Sequence, residues 1–186
     1  MGDQKHFTGR LALTTLVLLA ELAHLAWQHF NGGVASHHLL QRADLPAISN
    51  WWGAVLLPAV TWFLTGRIGK RIASRADRTG ATTRVPSGIV AGFVAALAFG
   101  VVLSIAFSFD YASVSSTMFL GVLVLAMFLP LYRAECVLGF ILGMAFTFGA
   151  VLPTAIAALI AAIAAFFALC VQPALARIAG KGDGGS

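Results

Sequence analysis

Six apolar runs, each near the length that crosses a bilayer, constrain this chain more than any other feature. They fall at about 11–29, 51–66, 88–109, 112–131, 135–151 and 154–175. A transmembrane helix needs about 20 predominantly apolar residues. The chain is 59% hydrophobic and only 10% charged, with a mean hydropathy of +0.89. A soluble domain carries about 25% charged residues, so a soluble fold of 186 residues could not bury this much apolar surface. The expected class is all-α: a polytopic membrane protein with six transmembrane helices. It forms one membrane domain over residues 1–176, followed by a disordered C-terminal tail over 177–186.

The first run has the basic start and apolar centre of a signal peptide. No small-x-small cleavage site follows it, so it is expected to stay as an uncleaved first span. Cys136 and Cys170 both lie inside apolar runs and make no CxxC. They are expected to act as small apolar residues.

Lys and Arg set the orientation. With the N-terminus inside, Lys5, Arg10, Arg67, Lys70, Arg71, Arg75, Arg78, Arg84, Arg133, Arg177 and Lys181 all fall on the inner side, and only Arg42 falls outside. The positive-inside rule then gives N-in and C-in, and the alanine-rich, compact design points to a bacterial inner membrane facing the periplasm. The net charge of +5 sits in short inner segments rather than on a soluble face. That distribution excludes nucleic acid and matches anionic lipid headgroups. Small-residue stretches such as "GIVAGFVAALAFG" permit close packing, and with it a homo-oligomer or a partner membrane subunit. Trp27, Trp51 and Trp52 fall at outer span ends, where amphipathic rings suit the headgroup layer.

Within the connectors, Pro153 is expected to break spans five and six apart, and Arg133 is expected to pair with Glu135 at the inner turn between spans four and five. The "SVSSTM" stretch brings hydroxyls toward the outer face, to line a pocket or to bond back to their own helix. The first outer loop is long, "FNGGVASHHLLQRADLPAISN". The Gly pair permits a sharp turn, "VASHHLLQRA" suits a short interfacial helix, and Ser49 or Asn50 can cap the second span.

That loop follows the chain's most unusual stripe. Glu21 lies near the middle of the first span, and His24 and Gln28 follow at +3 and +7, on the same helix face. A carboxylate in contact with lipid is costly, so the stripe should turn toward the bundle. Two chemistries suit it. Histidines with an acid favour zinc or copper, and His24, His29, His37, His38 and Asp44 are the candidate ligands. Alternatively, Glu21 and His24 share a proton and form the candidate catalytic acid–base pair. Gln28, Asn50, Trp51 and Asp110 complete a candidate substrate pocket. The expected function is a metal-dependent or histidine-dependent membrane site facing the periplasm, either an enzyme or a metal-binding protein. The alternative is a small solute-transport subunit, proton-coupled through Glu21 and His24.

Overall fold

The computed structural model describes residues 2–34, 36–38, 47–80 and 85–180. A helix covers each apolar run: α1 is Gly2–Phe30, α2 Gly53–Thr79, α3 Ser87–Ser108, α4 Ala112–Phe128, α5 Ala134–Phe148 and α6 Val151–Phe166. A π-helical stretch, Phe167–Val171, carries α6 directly into α7, Gln172–Gly180. The rod therefore takes residues 177–180, which the sequence assigns to the tail. Three segments, His6–Phe30, Ser87–Ser108 and Val151–Arg177, are long and apolar enough to cross a membrane. The protein is thus a mainly α-helical membrane protein, with α4 and α5 as shorter apolar helices of 17 and 15 residues. Large apolar side chains lie on the outside of the helices, among them Leu16, Leu19, Phe63, Leu120, Phe128 and Leu169. Such a surface needs hydrocarbon as its solvent.

Helix directions follow from cross-helix contacts. Glu21 packs against Gly53, and Arg10 donates to the Trp62 carbonyl at 2.7 Å, so α1 and α2 run antiparallel. The tightest seam is α3 against α5, which are not consecutive and run parallel. Gly92 meets Glu135, Gly100 meets the Phe140 carbonyl, and Phe107 packs on Phe148. Gly139 and Gly143 of α5 approach the backbone of Phe93, Leu97 and Val101, with the Ala96 methyl beside Gly139. Small residues four apart let two helices close to backbone contact, which matters in lipid because apolar burial gives helices little reason to associate. The α3–α4 turn uses Asp110 at φ +59°, a conformation that Asp tolerates better than most residues.

These directions gather the helix ends into two layers. One holds the end of α1, the start of α2, the α3–α4 turn and the α5–α6 turn. The other holds the start of α1, the basic half of α2 with Arg67, Lys70, Arg71, Arg75 and Arg78, and Arg133 in the α4–α5 turn. The second layer is the basic end.

Three local expectations are corrected. The chain breaks between α5 and α6 at Gly149, φ +68°, and not at Pro153. Pro153 sits buried in the first turn of α6, where a helix has no use for its missing N–H. The interfacial helix is absent from the described part of the first outer loop. There Ser36–His38 (β1) pairs antiparallel with Ala47–Ser49 (β2), placing Ser36 opposite Ser49, His37 opposite Ile48 and His38 opposite Ala47. Gly32 and Gly33, at φ +116° and +100°, turn the chain out of α1. A partner strand then satisfies backbone groups without the nucleation cost of an isolated two-turn helix. Residues 39–43 of that expectation, with Arg42, and Asp44 beyond them, lie outside the described residues. Finally, Glu135 pairs with Arg71 of α2 and not with Arg133.

Candidate functional site

Leu13, Val17, Glu21, Leu25 and Gln28 form the face of α1 that turns toward the rest of the protein. Leu25 is 1% exposed and Glu21 only 6%. A mid-helix carboxyl on this face replaces what the pattern would make a core leucine. It fits because the facing residue on α2 is Gly53, whose missing side chain is the space that the Glu21 carboxyl occupies. Gly53 follows a single 3-10 turn, Asn50–Trp52, which Ser49 caps by accepting from the Trp51 N–H. Ser49 thus caps the turn that leads into the second span, while α2 itself starts without a side-chain cap. The Ser49 cap fixes Asn50, which is 5% exposed, above the Glu21 level.

The side chains connect in one direction. Asn50 Nδ2 donates to Gln28 Oε1 at 3.3 Å. Gln28 Nε2 lies 2.9 Å from His24 Nε2. An amide nitrogen can only donate, so His24 Nε2 is the acceptor and its proton rests on Nδ1. That Nδ1 faces Glu21 Oε2 at 3.9 Å. The distance is longer than a hydrogen bond and short enough to close by a small side-chain rotation. The His24 ring stacks on Phe146 of α5 at 4.5 Å between centroids. At the far end, the Asn50 side-chain oxygen packs on Gly149, in the α5–α6 turn. Three helices and two glycines thus hold one polar chain, Asn50–Gln28–His24–Glu21, running from the outer helix ends toward the middle of α1.

Other candidate residues stand apart from it. His29 is exposed and packs edge-on to Phe30. Trp51 is exposed and contributes its backbone N–H to the cap. Asp110 is exposed in the α3–α4 turn. His37 and His38 are placed only as β1 backbone, and β1 reaches the chain through β2, which leads directly into Asn50. Among the described residues no three His, Cys, Asp or Glu side chains converge on one point. On α4, Ser116 bonds back to the Ala112 carbonyl at 2.9 Å.

Sequence reasoning missed the two glycines. Their signal was present in "NWWGA", where a glycine follows the helix cap, and in "TFGAV", where one separates two helical runs. It also missed a second buried acid. Glu135 is 2% exposed, in the first turn of α5, with Arg71 Nη1 2.6 Å from Oε1. No known protein family, curated protein or solved structure matches the chain.

Proposed function

We propose that this protein spans a bacterial inner membrane six times, with both termini in the cytoplasm, and handles protons at a histidine-dependent site open to the periplasmic side. The basic end supports this orientation. The connectors 109–111, 129–133 and 149–150 are too short to do more than reverse the chain, which supports counting α4 and α5 as spans.

The observation that carries the reading is the one-way chain from Asn50 to Glu21. Glu21 accepts and releases the proton, His24 Nδ1–H steadies its carboxylate form, and Gln28 and Asn50 hold the imidazole in the tautomer that presents Nδ1–H to the acid. Proton movement across the membrane suits this geometry better than catalysis. The Glu21 carboxyl fills the space at Gly53 and the His24 ring stacks on Phe146, so a proton reaches them more readily than a substrate does. A metal held by His24 together with His29, His37, His38 and Asp44 draws less support, because both ring nitrogens of His24 already face protein groups.

Proteoliposomes given an acid pulse outside test the proposal. Wild-type protein should carry protons inward, and Glu21→Gln should reduce that flux at least about tenfold, equivalent to about 1.4 kcal/mol in the limiting barrier. Equal flux from both would remove the proposal. Elemental analysis adds an independent arm. One zinc or copper per chain, lost in the His37→Ala/His38→Ala double variant, would put the metal reading in its place.

A further inference from the structure

At the basic end a cleft of about 350 Å³ opens among α3, α4, α5, α6 and the 129–133 turn, away from the polar chain. Its wall is apolar, formed by Ala95, Phe99, Leu125, Leu129, Phe140 and Ile160. Two charged residues line it, Arg133 and Glu135. Arg133 is exposed and Glu135 is 2% exposed. The Arg71 guanidinium takes Glu135 Oε1, while Oε2 is buried with no hydrogen-bond partner among the described residues. A buried carboxylate oxygen without a donor is costly, and the groups lining the cleft are otherwise almost all apolar.

The volume is at the small end of ligand pockets, which run about 300–1,000 Å³. It suits one hydrocarbon chain, and it lies at the level where the α4–α5 turn would meet headgroups. We infer that the cleft holds one acyl chain of an aminophospholipid, whose ammonium donates to Glu135 Oε2 and whose phosphate meets Arg133 at the mouth. An ammonium brings three donors and no acceptor, and its bond to a carboxylate is charge-assisted, which makes it shorter and stronger than a hydroxyl's. A small soluble cation would serve Glu135 and leave the apolar wall uncovered. The zwitterionic headgroup instead matches an acid and a base on one rim.

Native mass spectrometry of the full chain, released from vesicles of equal parts phosphatidylethanolamine and phosphatidylglycerol, reads the occupant directly. One phosphatidylethanolamine should be retained per chain, in about tenfold preference over phosphatidylglycerol, equivalent to about 1.4 kcal/mol. Ala95→Phe fills the cleft from an exposed face of α3 and leaves the Arg71–Glu135 pair untouched, so it should abolish retention while the helix content stays unchanged. Glu135→Gln should bring the two lipids to near-equal retention. The inference is overturned if wild-type protein retains neither lipid, holds both equally, or keeps its phosphatidylethanolamine after Ala95→Phe. If Glu135→Gln does not fold, Ala95→Phe and the wild-type preference decide the matter.

Discussion

Gly143→Ala tests whether α3 and α5 are held by backbone contact. A methyl at Gly143 would run into the Leu97 carbonyl and lie 3.0 Å from the Val101 nitrogen and 3.1 Å from the Gly100 Cα. All three are backbone atoms of one helix, so no side chain can swing aside. Carbon atoms rest at about 3.5–4.0 Å, so the helices must part by roughly half an ångström, and a gap of about 0.5–1 Å forfeits a quarter to a half of each dispersion contact. The loss spreads along the seam, to the Ser104 hydroxyl on the Gly143 carbonyl at 3.3 Å and to the Phe107–Phe148 pair. Overpacking of this kind costs about 1–3 kcal/mol. Gly121 of α4, with nothing within 4 Å of its own added methyl, is the control. There Ala should help by up to about 1 kcal/mol through helix propensity alone. The two variants should therefore differ by about 1–4 kcal/mol, read from helical circular dichroism during sodium dodecyl sulfate titration in mild detergent. Equal stability of the two would refute the parallel α3–α5 seam.

Gly53→Ala puts its methyl against the free end of the Glu21 side chain, which can swing, so its stability should stay within about 1 kcal/mol of wild type. Inward proton flux in liposomes should nonetheless fall with the displaced carboxyl. Gly149→Ala should cost about 1–3 kcal/mol, because φ +68° with ψ −171° belongs to glycine, and it should also push Asn50 off its seat, both measurable by thermal melting and cross-linking in lipid. Breaking a buried ion pair costs about 3–5 kcal/mol. Arg71 is 43% exposed and partly screened, so Arg71→Ala should cost about 1–3 kcal/mol, whereas Arg133→Ala should stay within about 0.5 kcal/mol. In denaturation assays Glu135→Gln should recover part of the Arg71→Ala loss.

The helices were legible because the bilayer imposes length and composition on each one locally. The inward stripe of Glu21, His24 and Gln28 was legible for the same reason, since helical spacing alone puts the three on one face. Which helix packs on which was not. The α3–α5 seam depends on Gly139 in "LGFILGM" meeting Phe93 and Leu97, and on Gly143 meeting Gly100, from far away in sequence, and apolarity alone does not choose partners. The partner of Glu135 was misassigned for a related reason. Arg133 lies two residues away, on the other side of the helix start, while Arg71 arrives from α2 through the tertiary fold. Gly53 and Gly149 matter for the room they leave, and one sequence does not show which neighbour uses it. In the first outer loop, local composition favoured helix, and pairing with Ala47–Ser49 outweighed it.

Infrared difference spectroscopy of the protein in lipid, after a pH jump on the outer side, tests the central claim most directly. The account predicts a carboxyl C=O band that changes with the jump, vanishes in Glu21→Gln, and moves together with an imidazole band that vanishes in His24→Ala. Gln28→Leu, which removes the bond that sets the tautomer, should uncouple the two signals while leaving both present. A spectrum identical in wild type and Glu21→Gln, across the whole range in which the helices persist, would contradict the account. Glu21 would then be a buried group that never exchanges its proton, and the polar chain beside it would serve packing alone.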